Sequence, residues 1–135
     1  MDFRQKAAVC LQNCYATNLR RVSRAVSNLY DEKLSVLGLK ATQMTLLLVL
    51  ASGTRLTMTD IARQLEVTVS TINRSLVILE RRGLVDIGDG SARTRLVALT
   101  GRGETLLEKA MPIWLEAQEE AQGMLAGLKK PGLTD

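Results

Sequence analysis

Histidine is absent from this chain. Its absence excludes histidine-based catalytic triads, imidazole general bases and histidine-containing metal sites. Aromatic residues make up only 3% of the chain, too few for a large aromatic-lined ligand cave or a base-stacking platform. The two cysteines, Cys10 and Cys14, do not form the framework of a disulfide-stapled secreted domain. The expected home is therefore reducing and cytoplasmic. No charge-free apolar run approaches the roughly 18 residues that span a bilayer; the longest apolar stretch, Met44 to Ala51, suits a buried helix. Charges at Asp2, Arg4 and Lys6, followed by the polar Gln12 and Asn13, do not read as a signal peptide, and no membrane partner is expected. Nor does the sequence offer a nucleophile–base pair, a glycine-rich phosphate loop or a cluster of metal ligands. Glu119 and Glu120 read as a solvated helix face. Neither an enzyme nor a bound cofactor is expected.

What remains is an ordinary globular composition of 135 residues, 46% hydrophobic and 24% charged, the size of one domain. The net charge is +4, and its distribution says more than its size. All eight basic residues between positions 55 and 103 are arginines, whereas the segment from 104 onward is acidic. The guanidinium fork suits phosphates and guanine edges better than lysine does. Arginine concentrated in one segment points to nucleic acid.

Periodicity divides the chain. Residues 5–35 read as one long helix, with Leu11, Tyr15, Leu19, Val22, Val26 and Leu29 at spacings of three and four. Arg20, Arg21 and Arg24 fall largely off that stripe. A helix apolar nearly all round covers 41–52 and stops at Ser52-Gly53. A short extended piece at 55–58 leads to Thr59, read as the N-cap of a helix over 60–66 with Ile61, Ala62 and Leu65 inward. Thr68 caps the next helix, 69–82, which buries Val69, Ile72, Leu76 and Leu79 and ends at Gly83, with Arg81 and Arg82 in its last turn. Two strands, 84–87 and 95–99, flank the turn cluster Gly88-Asp89-Gly90-Ser91 and form a β-hairpin. Thr100 caps a long final helix whose seam is Leu107, Ala110, Trp114, Ala117, Ala121, Met124 and Leu128. Pro112 predicts a kink in it, and residues 129–135 read as a frayed tail.

The order helix, turn, helix, basic hairpin is that of a winged helix-turn-helix, a mainly α fold with a small β wing. The polar side of helix 69–82 is narrow enough for a major groove about 12 Å wide. Ser70, Thr71, Asn73 and Arg74 on that side have hydrogen-bonding reach toward bases or phosphates. Arg93 and Arg95 on the hairpin can meet an adjacent phosphate or minor groove, and Arg63 is a candidate phosphate contact. The bland alternative for each is a solvated charge. Arg81 and Arg82 read as helix-end cations, and Arg20, Arg21 and Arg24 as a solvated face.

The segment Leu56-Thr57-Met58-Thr59-Asp60-Ile61-Ala62-Arg63-Gln64-Leu65-Glu66-Val67-Thr68-Val69-Ser70-Thr71 resembles the first half of the MarR family DNA-binding core. Ile72 to Val85, with Leu79-Glu80-Arg81-Arg82-Gly83-Leu84-Val85, resembles the second half. Arg93 to Gly103 resembles that family's wing and its exit into the dimer helix. The resemblance implies a homodimeric transcriptional regulator, often a repressor, that binds a pseudo-palindromic double-stranded operator and is released by a small lipophilic or phenolic ligand or by cysteine oxidation. It implies that Asn73 and Arg74 are the base-reading pair and Arg93 the wing arginine. Ser91 stands where the family often has an aspartate that holds that arginine, leaving Asp89 to reach it. The organisation expected is an N-terminal dimerisation helix (1–38), a DNA-binding lobe (39–103) and a C-terminal dimerisation helix and tail (104–135). The alternative function is a winged-helix module that binds another protein and not DNA.

Two further groups carry open readings. Cys10 and Cys14, on one face of the first helix, are small buried hydrophobes or a redox switch. Tyr15, Met111 and Trp114 are core packing or the lining of a ligand pocket between the dimer helices and the lobe.

Overall fold

The computed structural model describes residues 1–53, 55–91 and 94–127. Helix α1 (Phe3–Asn13) starts at Asp2, whose carboxylate accepts from the Gln5 N–H while the Gln5 side chain accepts from the Asp2 N–H, a reciprocal cap that satisfies two otherwise orphan donors. It ends where Cys14 turns to an extended conformation (φ −75°, ψ 109°). Helix α2 (Tyr15–Leu34) then begins anew. The single helix expected over 5–35 is therefore two, and Cys10 and Cys14 do not share one helix face. A 3-10 turn (Ser35–Leu37) and Gly38 lead to α3 (Ala41–Ser52), whose first N–H, that of Ala41, donates to Asp31 Oδ1 at 2.7 Å.

Helix α3 is the centre of the lobe. Met44, Leu46, Leu47, Val49 and Leu50 are buried on it, as an all-round apolar helix requires. Strand β1 is only Leu56–Thr57. Helix α4 (Met58–Leu65) starts two residues earlier than expected, because Thr57 and not Thr59 is its cap. Thr57 Oγ1 accepts from the Asp60 N–H at 3.0 Å, and Asp60 Oδ2 accepts from the Thr57 N–H at 3.2 Å. Thr57 has an acid three residues on to close this box, whereas Thr59 has Ala62. Glu66, at φ 56°, ends α4 in the left-handed region, and the Val67 N–H donates to the Ala62 carbonyl. The chain is thereby turned into α5 (Val69–Arg81), capped by Thr68.

Strands β2 (Val85–Ile87) and β3 (Leu96–Leu99) pair antiparallel, with Val85 opposite Leu99 and Ile87 opposite Val97. The hairpin is not alone: β1 pairs with the outer edge of β3, Leu56 opposite Val97, giving a three-stranded sheet in the order β1-β3-β2. Helix α6 (Gly101–Gly127) follows and runs unbroken through Pro112. Thr100 Oγ1 accepts from the Gly103 N–H and donates to the Gly83 carbonyl, tying the helix start to the end of α5. Gly103 is required there. A Cβ at this position would lie 2.1 Å from the Leu84 carbonyl oxygen, so any side chain would push α6 off the sheet.

One hydrophobic cluster unites Leu34, α3, Met58, Ile61, Ile72, Leu76, Leu79, Leu84, Val85, Val97, Leu107 and Ala110. The final-helix seam is buried at Leu107, Ala110, Ala117 and Ala121 and half-buried at Trp114, while Leu128 lies outside the described residues. Helix α1 buries nothing within the chain. No single helix among the described residues is long and apolar enough to cross a membrane.

Candidate nucleic-acid interface

Helix α5 presents two faces because its sequence does. Ile72, Leu76 and Leu79 fix the inner face to the core. The outer face of its first two turns carries Ser70, Thr71 and Arg74, all exposed, with Asn73 half-buried beside them. The cap organises the hydroxyls: Thr68 Oγ1 accepts from the Thr71 N–H and lies 3.1 Å from Ser70 Oγ and 2.8 Å from Thr71 Oγ1. Three hydroxyls therefore gather at the positive end of the helix dipole, where anions are favoured. Sequence reasoning assigned Thr68 only the capping role, although its hydroxyl is the hub of this group. Among the described residues the only ion pair is Lys33–Glu120, so exposed Arg74 and Arg63 form no salt bridge there, although Arg63 lies near enough to Asp60 to help lower its pKa. Their charge is available to phosphate.

The wing is held by its own turn. Ser91 carbonyl oxygen accepts from the N–H groups of Thr94 and Arg95, and Gly90, at φ 123°, makes the reversal. Half-buried Arg95 donates from Nε to the Gly90 carbonyl at 2.9 Å. It therefore braces the turn as well as bringing charge to it. Arg93, and with it the question of Asp89 as its holder, lies outside the described residues. Exposed Arg55 lines a groove beside the wing with Asp86, Asp89 and Thr94. It was not singled out in the sequence, since only the pairing of β1 with β3 brings it there.

The three ligand-pocket candidates do not converge. Trp114 lines a cavity of about 300 Å³ between α2, α3 and α6, together with Val26, Tyr30, Met44 and Thr45. Met111 lines a different groove, against Leu50, Ala98 and Glu108. Tyr15 is 55% exposed at the start of α2. Tyr30, four residues beyond Val26 on the α2 stripe but not singled out in the sequence, donates its hydroxyl to Gln118 Oε1 across to α6. Burial raises its pKa.

Cys10 is exposed on α1 and Cys14 is half-buried at the α1–α2 junction; both thiols are free. The Cys14 pKa is lowered, chiefly by hydrogen bonding from the Thr17 side chain and then its N–H. Burial opposes this, while the Ala16 N–H and the Arg20 charge add to it. The cation that acts is thus Arg20, one turn into α2.

A family model of the MarR family matches residues 37–95, the span from the α2–α3 junction to the turn before β3. An uncharacterized HTH-type transcriptional regulator of Bacillus cereus is 31% identical over 100 residues, which cover 74% of this chain and 67% of that protein. The M. tuberculosis transcriptional regulator MosR matches with TM-score 0.75 and 32% identity over 84% of each chain. The same regulator solved in complex with DNA matches with TM-score 0.72 and 34% identity, covering 79% of this chain and 83% of that one. An E. coli MarR variant complexed with operator DNA shares the fold at 21% identity and TM-score 0.73, over 90% of this chain and 85% of that one. Element order, the exposed polar face of α5 and these matches agree: the chain belongs to the MarR family, a family of transcriptional regulators and not of enzymes.

Proposed function

We propose that this regulator acts as a homodimer that binds a pseudo-palindromic DNA duplex sequence-specifically and represses transcription from it. The observation that carries the reading is the exposed, acid-free face of α5 bearing Ser70, Thr71 and Arg74, presented at the helix N-terminus. Arg74 and Asn73 read base edges; Ser70, Thr71 and Arg63 meet phosphates; Arg95, with Arg93, carries charge into the neighbouring groove. MosR, which has been solved with DNA, supports the assignment at 34% identity.

Dimerisation is supported by the apolar residues that α1, α2 and α6 leave uncovered, among them Phe3, Leu11, Leu19 and Leu115. Residues 1–38 and 104–135 are the arms that pair, and 39–103 is the reading lobe. Two-fold pairing sets the two α5 helices about one DNA turn apart. A regulator of this kind works where the chromosome is, in the cytoplasm. Release from DNA follows when a ligand or an oxidant favours a lobe spacing that misfits successive grooves. The cavity at Trp114 suits a small apolar ligand, and Cys14, its thiolate favoured by Thr17 and Arg20, suits an oxidant.

The test is selection of bound fragments from genomic DNA, followed by gel shift of the selected duplex at two salt concentrations. Binding should weaken steeply with salt, by a log–log slope of about 0.9 per neutralised phosphate. Salt-independent binding, or no preference for any duplex over a scrambled one, overturns the proposal.

A further inference from the structure

The end of the lobe remote from the reading turn holds a second concentration of positive charge. Helix α5 runs 13 residues from Val69 to Arg81, which at 1.5 Å per residue separates its ends by about 18 Å. Strand β2 leaves from the far end and β3 returns to it, so this end also lies opposite the wing tip. There, the last turn of α5 and the first three turns of α6 enclose a groove of about 650 Å³. Arg81 and Arg82 line it from one side, Arg102, Thr105 and Lys109 from the other, and no carboxylate lines it.

The groove is not a chance scatter of surface cations. Helix α6 sorts its charges: Arg102, Thr105 and Lys109, three and four residues apart, face this groove. Glu104 and Glu108, four apart, line a different one with Met111. None of the four groove cations forms an ion pair among the described residues. One of them is anchored to backbone. Half-buried Arg82 donates from Nη1 to the Gly38 carbonyl at 2.7 Å and from Nη2 to the Leu37 carbonyl at 3.2 Å. Gly38 (φ 67°) would bring a Cβ to 3.3 Å from Arg82 Nη2, and Gly83 (φ 74°) would bring one to 3.1 Å from Arg102 Nη1. A glycine at positive φ thus leaves room for each guanidinium. Four basic side chains line one groove that no acid lines, an arrangement that an anion relieves.

We propose that this groove binds a small anion bearing two or more linked phosphoryl groups. The chemistry follows from the donor set. Guanidinium groups fork onto phosphate oxygens, an ammonium adds a point charge, and four cations match a polyphosphate better than a single carboxylate. The volume lies within the range of small-ligand pockets. The operator's own backbone is the less suitable source of phosphate, because the groove lies at the end of α5 remote from Ser70 and Thr71 and at the base of the hairpin, away from its tip. The site goes beyond the DNA-binding reading and does not use its residues. Arg82 joins it to the Leu37–Gly38 turn, where the arm meets the lobe.

Isothermal titration of the full-length protein with sodium pyrophosphate, at ionic strength held constant with sodium chloride, tests the site. Saturable binding of one pyrophosphate per chain is expected. The double variant Arg102→Gln/Lys109→Gln should weaken it at least tenfold, and Lys109→Glu should do so on its own. Both positions are exposed, so the core is untouched. Arg74→Gln should bind pyrophosphate within twofold of the parent. The double variant, in turn, should bind the selected duplex within twofold of the parent when pyrophosphate is absent. The proposal is overturned by heats that never saturate or by unchanged affinity in the groove variants. Loss of duplex binding in those variants overturns it equally, since the groove would then belong to the DNA interface.

Discussion

Helices α1 and α3 are nearly equal in length, 11 and 12 residues, yet they end in opposite circumstances. Helix α3 buries five large side chains; α1 buries none, and its Phe3 and Leu11 stand 84% and 58% exposed. Both contain apolar residues at helical spacing. The difference lies in what the chain supplies to cover them: α3 is enclosed by α2, α5, β3 and α6, while among the described residues the main neighbour of α1 is α2. Exposure falls along the arm, from Leu11 and Leu19 through half-buried Val22 and Val26 to Leu34 at 0%. The lobe completes its core within one chain. In the homodimer proposed above, the arm completes its own against a second copy, so lobe and arm should respond to different measurements.

The largest separation is expected from Leu47→Ala, deep in the lobe core. It should cost about 2–5 kcal/mol in urea-induced unfolding through lost burial and a residual cavity; a cost under 1 kcal/mol would mean that α3 is not the centre of the fold. Arg74→Ala should leave unfolding unchanged while costing roughly 1–3 kcal/mol of duplex affinity and relaxing preference at one base step, read by gel shift across operator variants. Leu11→Asp should do the reverse of Leu47→Ala. Sedimentation should show the dimer weakened at least tenfold, about 1.4 kcal/mol, with lobe secondary structure intact by circular dichroism. A dimer unmoved by that change would remove α1 from the interface.

A smaller effect, near 1 kcal/mol, is expected from Thr57→Ala, which opens the α4 capping box. The pH dependence of that cap has a definite sign. Asp60 has its folded pKa lowered, first by the Thr57 side chain and then by the Thr57 N–H. Its contribution is therefore full above the ordinary carboxylate value of 3.8 and is lost as pH falls through the folded value. An acid-unfolding profile of Thr57→Ala should show less of that loss. Smallest of all is Glu120→Gln, which removes the 2.9 Å pair with Lys33 between α2 and α6. A pair this near the surface contributes little and fades with salt; thermal melts at low and high salt check it.

Much of the lobe was legible in the sequence. The all-round apolar run of α3, the Thr68 cap, the two-faced pattern of α5 and the Gly88–Ser91 turn each state a local preference strongly enough to locate an element. The polar positions of α5 were legible for the same reason, since a helix with one apolar stripe must expose the other side. What failed did so at weak local signals. The apolar stripe from Leu11 to Leu29 continues in register across Cys14, and no proline or glycine marks the break, so periodicity alone joined two helices into one. Thr57 and Thr59 are both plausible caps, and only the partner three residues on separates them.

The sequence by itself determined which segments are helix or strand and which of their faces are apolar or cationic, because these follow from spacing and side-chain chemistry within a few residues. Only the tertiary structure decided what lies across from each face: that Leu56 borders Val97 and carries Arg55 to the wing, that Trp114 meets Tyr30 while Met111 does not, and that Arg81, Arg82, Arg102 and Lys109 share one groove. Such neighbours are joined by packing between elements far apart in the chain. That packing is set by the shape of the whole core, which no local pattern encodes.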